Sequence, residues 1–397
     1  MWKAASYTRP PMRALVVQGY YRSQGALATA RGLAAAGWEV GVASAYPHDL
    51  AGASRVVARR HLVPSEDLDP DGFLAEALRV ADGYDVVVPC GDPDVLALSE
   101  ARDRTSAVVP YGSHQSVVDC FDKELMATHA DAVGVLVPRT VVATPEAIES
   151  FPLPFVVKGA RYWLPNRPPG DRRFTADVFT DRDQGRERAE AIRDFGGRPL
   201  VQQAITGALI GVAVVRHPSG RLLAQFQQRA QTLYPEPSGN AARAVSVPAD
   251  PRLVAAVGAV LDRIGFAGLV QADFIEDERG DHWLIDLNGR VYNSIGLAIA
   301  SGVNLPALWA GSATGWVDGD APLVTGRPGV RYQNLVNDLR RAGRDWGEVA
   351  AALAAAPVSV HSVWSPRDPA PALRYARDLG GRVGVRVQRL RDRWRTR

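Results

Sequence analysis

The chain has 397 residues, of which 46% are hydrophobic and 22% are charged, as is typical of globular proteins. This length exceeds what one hydrophobic core usually supports, so we expect two or three structural units. No apolar run approaches the roughly 20 residues that span a bilayer, and the N-terminus lacks a secretion-signal pattern, so we expect a cytoplasmic protein.

The net charge of +3 conceals two biases. Residues 373–397 carry nine arginines against two aspartates, so this segment has a charge of +7 and the rest of the chain a charge of −4. Only three of the 46 basic residues are lysines, namely Lys3, Lys123 and Lys158. A lysine inside the fold therefore indicates a site that needs a compact ammonium group rather than a planar guanidinium group.

The sequence pattern of residues 12–118 predicts an open α/β unit with a parallel sheet. The expected elements are strands at 13–18, 38–43 and 85–89 and helices at 24–36 and 92–102. Ligands of such sheets bind at the carboxyl ends of the strands. The first loop lacks the third glycine of a dinucleotide fingerprint, so we exclude NAD there. The only cysteines, Cys90 and Cys120, are too few for a zinc site or a disulfide framework and are expected to be buried.

Two further units are expected at 119–206 and 207–330, followed by an extension at 331–397. The smaller is predicted to contain a helix at 121–134 with Lys123, a strand at 155–157 ending on Lys158, a helix at 183–195 and a strand at 200–205. The larger is predicted to contain a hairpin of strands at 209–216 and 221–228, a polar loop at 229–246, and a helix from Asp250 that ends at Gly265.

The stretch 268–294 has the pattern of a β-hairpin with acids inside apolar strands. Asp273 lies in the first strand and Asp286 closes the second, with Asn288 and Arg290 following on the same face. Carboxylates are costly to bury without a partner, and a hard divalent cation held by oxygen atoms is a common one. The set therefore suits Mg²⁺ on nucleotide phosphates. The alternative is a structural ion pair between Asp286 and Arg290.

The order of these parts resembles that of the ATP-grasp ligases. The resemblance covers about residues 12–330 and is strongest to predicted carboxylate–amine ligases of surface-polymer and natural-product pathways, which share Asp122-Lys123, the strand that ends on Lys158, and the later Asp368-Pro-Ala-Pro371. It implies an α/β fold with an N-terminal open parallel domain, a small lid and a C-terminal lobe built on an antiparallel sheet.

The resemblance also implies roles for individual residues. Lys123 and Lys158 would contact the phosphates of ATP, and Arg290 a phosphate or the substrate carboxylate. The resemblance places an adenine hinge at Gln202, Gln203, Ala204 and Ile205. It implies that Asp273, Asp286 and Asn288 are ligands of Mg²⁺ or Mn²⁺. It also implies that a loop with Arg229, the Gly239-Asn240 turn and Arg243 closes on an acyl-phosphate. The alternative for the lysines and the loop arginines is that they are solvated surface residues without a functional role. The alternative for Gln203 is that its strand only forms part of the hydrophobic core.

Three positions depart from the family pattern. Asp286 stands where Glu is usual, and its side chain is shorter by about 1.5 Å. The loop after Lys158 lacks the usual glycines, so Arg172 and Arg173 would clamp ATP in their place. Asn240 replaces the second glycine of a pair.

In the extension, Val383, Val387, Leu390 and Trp394 recur at helical spacing between arginines, which predicts a basic amphipathic helix. Docking on its own protein is the simplest interpretation, and contact with an anionic membrane or an acidic partner is the alternative. No nucleic-acid recognition motif accompanies the charge.

Together these features predict an ATP- and Mg²⁺-dependent ligase that joins a small carboxylate to an amine through an acyl-phosphate and releases ADP and phosphate. The alternatives are a non-catalytic ATP-binding component of a polymer-assembly or biosynthetic complex, and a small-acid kinase. Nothing in the sequence names the acid or the amine.

Overall fold

The computed structural model describes residues 11–19, 23–163 and 175–379. That part of the chain contains three sheets, which follow one another in sequence. Arg172, Arg173 and the basic helix predicted at 383–394 lie outside it. Among the described helices, none has the length and apolar character required to cross a membrane.

The first sheet is parallel, as predicted, with the strand order β3-β2-β1-β4. Its elements, with the helices that follow them, are β1 (Arg13–Gln18), α1 (Gln24–Ala35), β2 (Glu39–Ser44), β3 (Val57–Leu62), α2 (Pro70–Ala81), β4 (Val86–Pro89), α3 (Asp92–Glu100), a 3₁₀ turn (Arg102–Arg104) and α4 (His114–Phe121). β3 and α2 lie outside the predicted elements. β3 is an edge strand with mostly exposed side chains, so it lacks the apolar signature of its neighbours.

The second sheet is antiparallel and has its own small core around Phe151, Phe155 and Ile192. Its unit comprises α5 (Lys123–Asp131), β5 (Thr140–Val142), α6 (Pro145–Ser150), β6 (Phe155–Gly159), β7 (Asp177–Phe179), α7 (Arg182–Asp194) and β8 (Pro199–Gln203). The helix predicted at 121–134 is confirmed as α5, which begins two residues later and ends three residues earlier. Asp122 ends α4 and caps α5, because its carboxylate accepts the N–H of Glu124 at 3.1 Å. Lys123 is therefore the first residue of a new helix.

The third sheet is the largest, with the path β13-β12-β9-β10-β11-β15-β16 and β14 beside β10. Its unit comprises β9 (Ala208–Arg216), β10 (Leu222–Tyr234), β11 (Asn240–Val247), α8 (Pro251–Ile264), β12 (Gly268–Glu276), β13 (His282–Asn288), α9 (Ile295–Ala300), α10 (Leu305–Ala313), β14 (Val324–Thr325), β15 (Arg331–Gln333), α11 (Leu335–Ala342), α12 (Trp346–Ala355), a 3₁₀ turn (Ala356–Val358) and β16 (Val360–His361). Residues 370–379 are also helical. Because β15 and β16 pair with this sheet, we propose that the unit continues past residue 330.

The polar loop predicted at 229–246 is wrong. β10 runs on to Tyr234, which pairs with Asn240 at the start of β11, so a turn at 235–239 joins two antiparallel strands. Buried and less buried residues alternate along β11, and its polar character comes from the wetter face. Gly239 is required in the turn, because a Cβ there would lie 2.1 Å from the carbonyl carbon of Tyr234.

β13 is held by contacts from both other units. From the first unit, the buried Tyr111 hydroxyl donates to the Gly289 carbonyl at 3.0 Å. From the second, the carbonyl of Leu136 accepts the N–H of Leu284 at 2.8 Å. β13 is therefore placed by contacts from both other units, near its start and just past its carboxyl end, rather than by the hairpin alone.

The substitution Tyr111→Phe tests this anchoring. It keeps the ring but leaves the buried Gly289 carbonyl without its donor, so we expect the free energy of unfolding to fall by about 1–2 kcal/mol in urea denaturation. The control Tyr234→Phe, at the half-buried end of β10, is expected to change stability by less than about 0.5 kcal/mol. Equal losses in the two variants would contradict the anchoring.

Candidate active site

The two predicted acids lie directly opposite each other on neighbouring strands. Asp273 of β12 pairs in register with Asp286 of β13, and the side-chain amide of Asn288 donates to the Asp273 carboxylate at 3.0 Å. The register shifts immediately after this pair, so that Ile285 is an extra residue in β13. Such a bulge re-aims nearby groups and frees a backbone group from the ladder.

Lys158 uses the group that the bulge frees. Its ammonium donates to the Ile285 carbonyl at 3.3 Å. Lys158 is only 3% exposed, and burial together with the nearby charge of Lys123 lowers its pKa to about 7. No carboxylate among the described residues lies within ion-pair distance of Lys158. A buried ammonium without a close counter-charge is energetically unfavourable, which marks the position as a candidate anion site.

Lys123 reaches the same point from the first turn of α5. Its ammonium donates to the Asp286 carboxylate at 2.9 Å, and its backbone N–H donates to the carbonyl of Ala160, two residues beyond Lys158, at 2.8 Å. The start of α5 and the end of β6 are thus fixed together. The structure brings together five of the predicted site residues, in a crevice where the Asp286 side chain remains 29% exposed. They are Lys123, Lys158, Asp273, Asp286 and Asn288.

The two carboxylates differ electrostatically. Burial works against ionisation of Asp286, but Lys123 and Lys158 outweigh it and lower its pKa. Burial raises the pKa of Asp273 to about 7, and the charge of Asp286 adds to the rise. The Asp286 charge also raises the pKa of Lys123 against the effect of burial. The charge of Asp286 is therefore neutralised by the Lys123 ammonium, while the surroundings of Asp273 disfavour its ionised form.

Arg290 lies beside this cluster but pairs elsewhere. Its Nε donates to the Asp92 carboxylate of α3, and its Nη1 donates to the carbonyl of Val291 at 3.0 Å. The alternative of an ion pair between Asp286 and Arg290 is therefore wrong for the described structure, in which Asp286 is paired with Lys123. Asp92 was expected only to begin a helix, because its partner lies 198 residues away in the sequence.

The residues predicted as the adenine hinge lie at the end of β8 and directly after it. The side chain of Gln202 is buried and donates to the Thr140 hydroxyl at 2.7 Å, so it belongs to the packing of the sheet. The N–H of Gln203 donates to the Arg139 carbonyl at 2.9 Å. Ala204 and Ile205 follow β8, are half-buried, and have N–H groups that donate to no other backbone group in the described residues. Backbone donors at these two positions suit the edge of a purine ring.

Two predicted loop arginines do not join the cluster. Arg229 is paired with Glu276. Arg229 of β10 lies opposite Ile210 of β9, whereas Asp273 of β12 lies opposite the next residue of β9. Since successive strand residues point to opposite faces, Arg229 lies on the face away from Asp273. Arg243 is held by the buried Asp338 at 2.9 Å and contributes to packing against α11.

The oxygen donors of the crevice fit a hard divalent cation. Asp273 and Asp286 offer carboxylates from adjacent strands, and Asn288 offers an amide oxygen next to them. Mg²⁺ binds through one or two carboxylates and completes its shell with phosphate oxygens and water. The two cysteines take no part: both are buried as predicted, and burial raises the pKa of each thiol.

The substitution Asp273→Asn is expected to stabilise the metal-free protein. Because the folded-state pKa of about 7 exceeds the usual value of 3.8, the folded state binds the proton more tightly, and stability falls as pH rises from about 4 through 7. In EDTA, the variant should be more stable than the wild type by about 1–2 kcal/mol at pH 8, since the crevice is partly solvated, and should show little difference near pH 4. A stability gain that does not depend on pH would contradict this assignment.

The substitution Asp286→Asn is expected to have the opposite effect. It leaves the ammonium group of Lys123 without its paired carboxylate and removes a nearby negative charge from Lys158, so we expect a loss of about 2 kcal/mol in urea denaturation at pH 7 in EDTA. Asp273→Asn serves as the matched control, because it makes the same change from carboxyl to amide one strand away. A stabilised Asp286→Asn protein would show that the ion pair with Lys123 is not formed in solution.

No protein-family model matches the chain, and no curated protein matches it. Solved structures do match. N5-carboxyaminoimidazole synthetase from Staphylococcus aureus, complexed with ADP, is 14% identical with a TM-score of 0.62 and covers 80% of this chain and 81% of its own. L-amino acid ligase from Bacillus licheniformis is 14% identical with a TM-score of 0.59, over 79% of this chain and 78% of its own.

A third neighbour is the biotin carboxylase domain of the 2-oxoglutarate carboxylase from Hydrogenobacter thermophilus, in complex with MgADP, ADP and bicarbonate. It is 14% identical with a TM-score of 0.61, over 77% of this chain and 70% of its own. At these identities the similarity establishes the fold. The mixed α/β architecture, with one parallel and two antiparallel sheets, matches that of its neighbours, and the chain has the ATP-grasp fold predicted from the order of its motifs.

Proposed function

We propose that the protein is an ATP- and Mg²⁺-dependent ligase that joins a small carboxylate to an amine through an acyl-phosphate and releases ADP and phosphate. The observation that carries the proposal is the convergence of Lys123, Lys158 and Asp286, from α5, β6 and β13, at one crevice of an ATP-grasp fold. Two of only three lysines in the chain lie there.

The names of the structural neighbours support the same chemistry. One was solved with ADP and another with MgADP, and a third is named an L-amino acid ligase. We therefore infer a nucleotide in the crevice and amide-bond formation as the reaction. The acid and the amine are not identified by these names.

The nucleotide would lie across the crevice between the second and third units. The N–H groups of Ala204 and Ile205 would hold the adenine edge, and Lys123 and Lys158 would contact the phosphates. Phosphate oxygens would draw the Lys123 ammonium away from Asp286, with which it is paired in the described structure. Mg²⁺, when bound, would be held by Asp273, Asp286 and Asn288 and would neutralise phosphate oxygens during transfer.

The reaction has two displacement steps. In the first, a carboxylate oxygen attacks the γ-phosphorus, the bond to the β–γ bridging oxygen breaks, and ADP leaves. In the second, the amine attacks the acyl carbon, the bond to the phosphate oxygen breaks, and phosphate leaves as the nitrogen loses a proton. Phosphoryl transfer requires positioning and charge neutralisation more than covalent catalysis. Lys123, Lys158 and Arg290 would supply the positive charge, and no side chain acts as a nucleophile.

A screen of ATP consumption with pairs of amino acids as acid and amine tests the proposal. We expect ADP and phosphate, with sustained turnover only when both the acid and the amine are present. AMP would contradict the ligase, because it requires attack at the α-phosphate. Full turnover with the acid alone would indicate a kinase, and nucleotide binding without any turnover would indicate a non-catalytic component.

The substitution Lys158→Met tests the role of the buried ammonium. An apolar chain of similar length keeps the packing of β6 but removes charge from the transition state, so we expect the KM for ATP to rise and kcat to fall at least tenfold. The control Arg198→Met removes a cation that is 57% exposed in the same unit, where it pairs with Glu124. Equal effects of the two substitutions would show that Lys158 acts only through the general charge of the unit.

A further inference from the structure

Asp92 connects the first unit to the crevice through Arg290. It is the first residue of α3, at the carboxyl end of β4, and its side chain is only 7% exposed. Its carboxylate accepts a hydrogen bond from Nε of Arg290, whose side chain is 21% exposed. The pair thus joins the parallel sheet to the segment that follows β13.

The position of Asp92 is itself fixed. Asp94, which is fully buried in the same helical turn, accepts the N–H of Gly91 at 2.9 Å and the N–H of Gly19 at 3.0 Å. The carboxylate of Asp94 therefore ties the start of α3 to the end of β1. The side chain of Asp92 extends from a backbone held on two sides, and the helix N-terminus favours its negative charge.

The contacts with Asp92 and Val291 help to set the orientation of the guanidinium group of Arg290. The carboxylate of Asp92 accepts a hydrogen bond from Nε, and the carbonyl of Val291 accepts one from Nη1 at 3.0 Å. A planar group that is bonded at two of its nitrogens has a fixed plane. Without Asp92, the guanidinium group would lose its buried ion pair at Nε, and its long chain would regain rotational freedom.

The arrangement of the crevice indicates which part of the nucleotide Arg290 meets. The hinge at Ala204 and Ile205 and the two lysines belong to the second unit, whereas Arg290 is held by Asp92 of the first unit. A nucleotide with its adenine at the hinge would extend its phosphates toward the first unit. The terminal phosphoryl group would then lie nearest Arg290.

We propose that Asp92 is a positioning residue, which holds the guanidinium group of Arg290 in the orientation that contacts the terminal phosphoryl group of ATP. This inference rests on the proposed function, because it assumes a nucleotide in the crevice. It assigns the first unit a direct part in phosphoryl transfer in addition to any part in substrate recognition.

The test compares the binding of Mg·AMP-PNP, which carries a terminal phosphoryl group, with that of Mg·ADP, which does not, by titration calorimetry. Asp92→Asn keeps the size of the side chain and removes its charge. We expect it to weaken Mg·AMP-PNP binding about tenfold and to change Mg·ADP binding by less than twofold. In an Arg290→Gln background, Asp92→Asn should add no further loss, because Asp92 acts through Arg290.

Asp368→Asn provides a matched control. Asp368 pairs with Arg31 of α1 at 2.9 Å, with side chains that are 5% and 21% exposed, so the pair equals Asp92–Arg290 in burial and also anchors the first unit. We expect both variants to lose thermal stability and only Asp92→Asn to change the ratio of the two affinities.

Several outcomes would overturn the inference. They are an equal change of the affinity ratio in Asp368→Asn, an unchanged ratio in Asp92→Asn, and an equal further loss when Asp92→Asn is added to Arg290→Gln. A wild-type protein that binds neither nucleotide would overturn both this inference and the proposed function. Because the test reads binding alone, a protein that binds both nucleotides but shows no turnover in any substrate screen leaves the inference standing and removes only the ligase.

Discussion

The ion pair between Lys123 and Asp286 is the interaction around which the crevice is organised. It joins the first residue of α5 to a residue near the carboxyl end of β13 at 2.9 Å. Lys158 and Asp273 stand beside it, and the pKa of each moves to about 7, one downward and one upward. With Arg290 and Asp92 added, three cations and three carboxylates share a small volume. The opposite charges of such a site balance one another, and under the proposed function phosphates would bind by an exchange of ion-pair partners.

This balance depends on contacts from all three units. The bulge at Ile285 supplies the carbonyl for Lys158, the N–H of Lys123 bonds to the strand that carries Lys158, and Tyr111 holds the carbonyl of Gly289. A hairpin alone would not place these groups, because an isolated two-stranded hairpin is marginally stable in water. The surrounding units therefore contribute rigidity as well as residues, and rigidity is what phosphoryl transfer requires of a protein.

The parts of the site that could be predicted from the sequence are those encoded by local patterns. Asp286 and Asn288 are two residues apart in an apolar strand, and Lys158 lies near the end of another, so their positions could be predicted from short motifs. The pairing of Asp92 with Arg290 is not local, and nothing around Asp92 distinguishes it from an ordinary helix start. β11 was missed because one face of the strand is wet, and the start of α5 was placed two residues too early, at Phe121 rather than Lys123. Arg229 shows the converse error: a motif position was matched, but the strand turns its side chain to the other face.

The most direct measurement of the central claim follows the oxygen atoms of the acid. Once the screen has identified an acid and an amine, the acid is labelled with ¹⁸O in its carboxylate and the released phosphate is analysed by mass spectrometry. An acyl-phosphate intermediate transfers one carboxylate oxygen to phosphate, so the account predicts one ¹⁸O atom in the phosphate released per amide formed. Phosphate without ¹⁸O, formed together with the amide, would show that the carboxylate never attacks the terminal phosphoryl group and would contradict the account.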